Sequence, residues 1–189
     1  MPPKIKATRE QIVNSAFEVV RTEGIDALTA RRVARQVGCS TQPVYRAFTS
    51  MDELRAEVLE RAVHVALSYM APEGDPSTAF FQLGLGNLRF AQEEPMLYRA
   101  VTLEGPMIGD LLRDREPPPF VLERMRAAPP LAGLSDEQLS RIHGLMWFFS
   151  QGLANLFLID AGDDEDPMAI AEEYLMRAGR AVVEFERNH

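Results

Sequence analysis

The stretch from Thr29 to Leu54 most constrains the fold, because its pattern indicates two short helices, a tight turn between them and the start of a third helix. Thr29 can cap the first helix, and Gly38 is the residue type that most readily ends one. Ser40 is expected to cap the second helix, with Pro43 in its first turn, where a missing N–H costs least. The spacing therefore predicts a helix-turn-helix unit.

The side chains of the second short helix divide between two sides. Val44 and Phe48 are four residues apart and are expected to face inward. The outward-facing side chains all carry hydrogen-bonding groups suited to base edges or phosphate oxygens. They are Thr41, Gln42, Tyr45 and Arg46. A helix with such a surface beside a tight turn is typical of proteins that place a helix in the major groove of DNA.

Two longer helices are predicted on either side of this unit. Thr8 and Gln11 have the spacing of a capping box, and the helix that they open is expected to end near Gly24. Ser50 and Glu53 repeat that spacing before the helix that follows the unit. The first helix would pack behind the two short ones and complete a three-helix head.

These residues together resemble the DNA-binding domain of the TetR-type bacterial transcriptional regulators. The similarity covers roughly residues 8 to 62, and beyond them only length and helical character are similar. One departure is Met51, where the family usually has a Lys that contacts a phosphate. The matching positions are Leu28, Thr29, Val33, Ala34, Val37, Gly38, Ser40, Val44, Tyr45, Phe48, Ser50, Asp52 and Leu54.

The chain is predicted to be all-α, with a helix-turn-helix head in residues 1–50, a linking helix in 51–70 and a helical body in 71–189. The resemblance implies a homodimer that binds a palindromic operator in double-stranded DNA, represses transcription and is released by a small-molecule effector. Arg31 is the best guanine reader by its chemistry, and Gln42 can pair with adenine. The candidate DNA-binding residues are Thr29, Arg31, Ser40, Thr41, Gln42, Tyr45 and Arg46.

Charge is unevenly distributed along the chain. The formal net charge is −8, but residues 1–50 carry eight Lys or Arg against four acidic residues, a net of +4. The remaining residues carry 12 basic and 24 acidic side chains, a net of −12. A cationic head on an anionic body would turn its head toward a polyanion. This favours a nucleic-acid partner, although an asymmetry of this size can also arise by chance on solvated faces.

The last two predicted helices run from Asp136 to about residue 161 and from Asp166 to about residue 186. The first is apolar nearly all round between residues 145 and 159, and such a helix must bury every side. Polar residues and glycines within it argue against a membrane span. We expect a homodimer formed by a four-helix bundle. The candidate interface residues are Gly144, Gly152, Leu153, Leu156, Phe157, Tyr174 and Val182.

The body is rich in aromatic and methionine side chains, which could line an apolar cavity with a few orienting polar groups. For any one of these residues, a place in the core is the simpler interpretation. The resemblance implies a pocket and an effector that is apolar or amphipathic. The candidate pocket residues are Phe81, Met96, Tyr98, Met107, Phe120, Met125, His143, Met146, Trp147 and Ser150.

Other classes of function are weakly indicated. Cys39 is the single cysteine, which excludes an intrachain disulfide and fits a reducing cytoplasm, and the first residues lack the apolar segment of a secretory signal. The three histidines are scattered, and no nucleophile elbow or Gly-rich phosphate loop is present. We therefore expect no enzyme activity, cofactor or metal. The open alternative is a dimeric interaction protein of the same fold that has lost DNA binding.

Overall fold

The structure, a computed structural model, describes residues 7–70, 78–104, 116–158 and 166–189. In these residues the chain forms nine α-helices and single-turn 3-10 segments, and no strand, which confirms the all-α prediction. The helices are α1 (Arg9–Glu23), α2 (Ala30–Val37), α3 (Gln42–Ala47), α4 (Met51–Tyr69), α5 (Ala79–Glu93), α6 (Pro95–Glu104), α7 (Pro119–Ala127), α8 (Asp136–Ala154) and α9 (Pro167–Asn188). The 3-10 segments are Ile25–Ala27, Pro129–Leu131 and Asn155–Leu158.

Contacts divide the chain into two compact units. The first contains residues 1–65 and 94–106, and the second contains residues 66–93 and 107–189. Helix α6 belongs to the first unit, where it packs against α1 and the Ile25–Ala27 segment. The first unit is therefore a helix-turn-helix head with one additional helix from later in the chain.

Local sequence signals start and end α1 as predicted. Thr8 Oγ1 accepts a hydrogen bond of 3.2 Å from the backbone N–H of Gln11, and the Gln11 side chain accepts one of 3.0 Å from the Thr8 N–H. The helix ends before Gly24. Its inward positions, which include Ile12 and Ala16, are fully buried. The predicted capping box and the predicted end near Gly24 are both confirmed.

The turn after α2 is built around Gly38. Thr29 caps α2 through a 3.2 Å hydrogen bond from the Arg32 N–H to its Oγ1, as predicted. Gly38 follows the helix with φ of 78°, in the left-handed region that a side chain makes costly. The glycine thus lets the chain reverse direction between α2 and α3.

The prediction that Ser40 caps the second short helix is wrong. The N-cap is Thr41, which has helical backbone angles and makes no side-chain capping bond. A Ser40 cap could accept only from the amides two and three residues later, those of Gln42 and Pro43, and Pro43 has no N–H. Helix α3 accordingly begins at Gln42.

Helix α4 opens with half of the predicted capping box. Ser50 Oγ accepts a 3.2 Å hydrogen bond from the Glu53 N–H, but the Glu53 carboxylate turns to Thr49 instead of to the Ser50 N–H. Leu54 and Val58, four residues apart, are fully buried and form the inner face of α4. The start of α4 is therefore held from both sides of its first turn.

In the second unit, α8 and α9 pack along each other and α5 packs against both. Helix α8 ends at Ala154 and continues as the Asn155–Leu158 segment, earlier than the predicted end near residue 161, which lies outside the described residues. A Cβ on Gly86 of α5 would lie 2.7 Å from the carbonyl carbon of Tyr69, so glycine permits a close approach there. No helix in the described residues is both long and apolar enough to cross a membrane.

Candidate functional site

Helix α3 presents a polar outer face over a buried inner one. Val44 is fully buried and Phe48 is 3% exposed, which confirms that they face inward. Gln42 and Arg46 are exposed, and the Tyr45 side chain is 62% exposed. An aromatic side chain with a terminal hydroxyl, fully presented beside an amide and a guanidinium, can bind phosphate oxygens and base edges.

Arg31, in the first turn of α2, is also exposed. In the described part of the chain, Arg31 and Arg46 form no ion pair, so their charges are available to a ligand. Arg32 differs, because its Nε donates to both carboxylate oxygens of Glu23 at 2.9 and 3.0 Å. This bonding lowers the pKa of Glu23, and it occupies the Arg32 guanidinium.

The other predicted DNA-binding residues lie around the same turn. Six of the seven candidates are exposed, and Thr41 is half-buried. The hydroxyl of Thr29 already accepts the capping bond of α2. Met51, in the first turn of α4, and Cys39, in the turn before α3, are both half-buried. Because Met51 carries no charge, that position supplies no cation for a phosphate.

Sequence reasoning missed a clamp that holds the end of α3. The Arg9 guanidinium donates to the Ala47 carbonyl oxygen at 3.0 Å, to Glu53 Oε1 at 3.2 Å and to Glu57 Oε2 at 2.6 Å. Its Cζ also lies 4.2 Å from the centre of the Phe48 ring. These partners are at least 38 residues away in the chain, so no local spacing signal marks them.

The Glu53 carboxylate completes the clamp. Its Oε2 accepts hydrogen bonds of 2.7 Å from both the N–H and the hydroxyl of Thr49. The backbone bond from Thr49, then its side-chain bond and the one from Arg9, lower the pKa of Glu53. The carboxylate therefore stays ionised at neutral pH, and the turn between α3 and α4 is fixed at both ends.

The second unit contains a cavity of about 1090 Å³, partly open to solvent, between α5, α7, α8 and α9. Two apolar positions, Phe81 and Phe120, line it from α5 and α7. Four more candidates share one face of α8 at helical spacing, and all four line the cavity. They are His143, Met146, Trp147 and Ser150.

The remaining pocket candidates do not line this cavity. Met96 and Tyr98 lie on α6 in the first unit, where Tyr98 is 2% exposed. Met125 is fully buried in the second unit without contributing to the cavity wall. Met107 lies outside the described residues. Aromatic and methionine content indicated apolar surface correctly, but it did not distinguish core positions from cavity walls.

Several large apolar side chains on α8 and α9 are exposed to solvent. Leu145 and Phe148 of α8 are 54% and 55% exposed, and Tyr174 and Phe185 of α9 are 52% and 58% exposed. Of the predicted interface residues, Gly152, Leu156 and Tyr174 are exposed, while Gly144, Leu153, Phe157 and Val182 are half-buried. Sequence reasoning missed Leu145, Phe148 and Phe185, although the spacing of Leu145, Phe148 and Gly152 on one helical face could have indicated the first two.

No three His, Cys, Asp or Glu side chains lie close enough together to bind a metal ion, within the residues that the structure describes.

The model of the family described as bacterial regulatory proteins, tetR family, matches residues 12–58, which span α1 to α4. The chain belongs to the TetR family of bacterial regulatory proteins. The resemblance stated from the sequence is thereby confirmed.

Two curated relatives have names of the same kind. This TetR-family chain is 27% identical over 180 residues to an uncharacterized HTH-type transcriptional regulator of Mycobacterium tuberculosis, covering 91% of this chain and 80% of that protein. It is 25% identical over 107 residues to an uncharacterized HTH-type transcriptional regulator of Bacillus subtilis, covering 55% of this chain and 56% of that protein.

Solved structures share the fold of this TetR-family chain along almost its whole length. A TetR from Streptomyces coelicolor superposes with a TM-score of 0.65 at 16% identity, covering 94% of this chain and 98% of that one. A transcriptional regulator from Rhodococcus sp. Rha1 superposes with a TM-score of 0.58 at 21% identity, covering 95% and 96%. At these identities, the likeness shows the fold.

Proposed function

We propose that this TetR-family protein is a DNA-binding transcriptional repressor that reads a palindromic operator as a homodimer and is released by a small-molecule effector. The observation that carries the proposal is the exposed face of α3, where Gln42, Tyr45 and Arg46 stand over the buried Val44 and Phe48. The names of the two curated relatives support the same class of function. Its DNA partner would place the protein in the bacterial cytoplasm.

Each exposed side chain has a role that its chemistry suits. Arg31 would read a guanine, and Gln42 would pair with an adenine. Thr41 would contact a thymine methyl group, and Tyr45 would bind a phosphate oxygen. With Met51 in place of the usual lysine, the complex would make one phosphate contact fewer than its relatives make, and its affinity would depend less steeply on salt.

The dimer is supported by the apolar surface of α8 and α9. Four large side chains on these two helices are more than half exposed. Large apolar side chains exposed on two helices that pack along each other favour a place where another molecule packs. A second copy would pair the two helices with their equivalents around a two-fold axis, and it would set two α3 helices against the two halves of a palindrome.

Release by an effector is supported by the cavity of the second unit. A volume of about 1090 Å³ bounded mainly by apolar side chains can hold a molecule of drug size. A ligand that fits better when the two α3 helices are off the operator spacing shifts the population away from DNA. The free energy of release is then the difference between its affinities for the two states.

A binding-site selection from random duplexes with the purified protein tests the proposal. The expected result is enrichment of a sequence with two-fold symmetry whose half-sites are about one helical turn apart or somewhat more. Enrichment of a single half-site would contradict the dimeric arrangement. No enrichment would favour the alternative function, an interaction protein of the same fold that has lost DNA binding, which Met51 and the net charge of −8 suggest.

A further inference from the structure

The lining of the cavity in the second unit separates charged groups from uncharged ones. Its buried polar side chains are the amide of Asn87 on α5 and the hydroxyl of Ser150 on α8, which are 5% and 4% exposed. Neither group carries a charge. All charged side chains among the described lining residues are exposed, at the solvent side of the wall. They are Glu116, Arg180, Glu184 and Arg187.

The two arginines of the lining each contact a neutral protein group, and neither forms an ion pair within the described residues. Arg180 Nη2 lies 3.2 Å from Met176 Sδ, and Arg187 Nη2 donates to the Pro130 carbonyl oxygen at 2.7 Å. Both guanidinium groups belong to exposed side chains, so a ligand carboxylate in the interior, beside Asn87 and Ser150, would lie among apolar side chains without a buried cation from the described residues. A ligand ammonium would likewise lack a buried carboxylate. Burying an unpaired charge is strongly unfavourable, so the interior selects against both.

His143 adds a third uncharged polar group. Burial lowers its pKa to about 4, so the imidazole is neutral at pH 7 and offers one donor and one acceptor. It lies on the same face of α8 as Ser150, two turns away, which corresponds to about 10 Å along the helix. His143 and the Asn87–Ser150 pair thus place uncharged polar groups at two points along the cavity wall.

Asn87 has hydrogen-bonding capacity that the described residues do not use. Its Nδ2 donates to Ser150 Oγ at 3.5 Å, and this is its single side-chain bond within the described part of the chain. Ser150 Oγ in turn donates to the Trp147 carbonyl oxygen at 2.9 Å. A primary amide has two donor hydrogens and two acceptor lone pairs, so Asn87 can bind a further polar group in the cavity.

We infer that the effector is an uncharged, mainly apolar small molecule whose hydrogen-bonding oxygen is bound by Asn87. The inference rests on the proposed effector function and adds the chemical class of the ligand. A buried amide discriminates strongly in favour of ligands that complete its hydrogen bonds, because an unpaired polar group in a dry site is costly.

Trp147 provides a direct measurement of binding. It is the single tryptophan of the chain and lines the cavity, so its fluorescence reports occupancy. Decanol, decanoate and decylammonium share one apolar skeleton and differ in charge at pH 7. We expect decanol to shift the Trp147 emission and to bind at least about tenfold more tightly than either ion. Equal or tighter binding of either ion, or no shift with any of the three, would overturn the inference.

Substitutions at Asn87 test the residue itself. Asn87→Leu should weaken decanol binding about three- to tenfold, whereas Gln92→Leu, an exposed amide on the same helix outside the cavity, should not. Asn87→Asp, which keeps the shape and adds a carboxylate, should move the preference toward decylammonium. Unchanged decanol affinity in Asn87→Leu, or unchanged preference in Asn87→Asp, would overturn the assignment.

The proposed function is tested separately in the same preparations. Binding of the ligand-free wild-type protein to its selected operator depends on the first unit and on the dimer, not on the identity of the ligand. If the operator is bound and the ions are preferred over decanol, the inference fails and the DNA-binding function stands. If decanol is preferred and no operator is bound, the ligand class stands and the DNA-binding function fails.

Discussion

The guanidinium of Arg9, the first residue of α1, donates a 3.0 Å hydrogen bond to the carbonyl oxygen of Ala47, the last residue of α3. The last carbonyl groups of a helix have no partner within it, so this bond satisfies one of them. The same guanidinium lies over the ring of Phe48, the C-cap of α3. The Arg9 side chain therefore holds the C-terminal end of α3 against the start of α1.

Replacing Arg9 with Ala should reduce the ratio of specific to non-specific DNA affinity about tenfold, because α3 loses the anchor at its C-terminal end. The slope of log affinity against log salt concentration should not change, since Glu53 and Glu57 already pair the charge of Arg9. Anisotropy titrations at several salt concentrations measure both quantities. Arg9→Lys keeps the charge but loses the fork geometry of the guanidinium. Its ratio of specific to non-specific DNA affinity should therefore lie between those of the wild type and Arg9→Ala.

The control for Arg9 is Arg126→Ala, which removes an exposed ion pair with Asp136 in the second unit. That variant should leave both the affinity ratio and the salt slope unchanged. If Arg9→Ala instead lowered the salt slope by about one and weakened all duplexes equally, Arg9 would be a direct phosphate contact and not a positioning residue.

Gly86→Ala should destabilise the second unit by about 2–4 kcal/mol, because a Cβ there meets the backbone of Tyr69 and Met70, which cannot move aside alone. The matched control is Gly179→Ala in α9, where the new Cβ would lie at an ordinary contact distance of 3.7 Å from Met146 Cε. That change should be neutral or stabilising by up to about 1 kcal/mol. Urea unfolding compares the two, and equal stabilities would contradict the close approach.

His143 should make the protein less stable as pH falls from about 6.5 to about 4. Its pKa is lowered to about 4 in the folded protein, so over that range the unfolded chain binds a proton that the folded chain does not. The loss reaches up to about 3 kcal/mol below pH 4. His143→Gln should remove this component when both proteins are unfolded in urea at pH 7 and pH 4.5. Parallel pH dependences would show that the imidazole is not held neutral.

Phe148→Lys should convert the protein from a dimer to a monomer at micromolar concentration, because it places a charge in the proposed apolar interface. Leu103→Lys is the matched control, since Leu103 is 74% exposed and belongs to α6 of the first unit, not to the proposed interface helices. Sedimentation velocity gives the mass of each species. A wild-type mass of a single chain would contradict the dimer outright.

The sequence predicted the features that depend on neighbours in the chain. The capping box at Thr8, the left-handed Gly38 and the buried Val44 and Phe48 all follow from spacings of a few residues. The mistaken cap at Ser40 is also local. It follows from treating Pro43 as an ordinary first-turn residue without asking which amide the cap would bind.

The sequence could not predict features that depend on packing between distant segments. The bonds of Arg9 span 38 to 48 residues, and nothing in the spacing of Arg9 and Glu57 distinguishes them from solvated charges. Tyr98 and Met125 are apolar enough for either a core or a cavity wall, and only the folded packing assigns both to the core. Asn87 was missed for the same reason, because its burial and its hydrogen bond to Ser150 depend on the packing of two helices that are distant in the chain.

Affinity for the selected palindrome, compared with a scrambled duplex of equal length, tests the central claim that α3 reads DNA. We expect the wild-type protein to bind the palindrome about a thousandfold or more tightly than the scrambled duplex at physiological salt, with two chains per site. Arg31→Ala and Gln42→Ala should each cost about 1–3 kcal/mol and relax discrimination at one base pair. Equal affinity of the wild-type protein for the two duplexes would contradict the claim that α3 reads DNA. So would an unchanged preference for the palindrome in a variant that combines Arg31→Ala with Gln42→Ala.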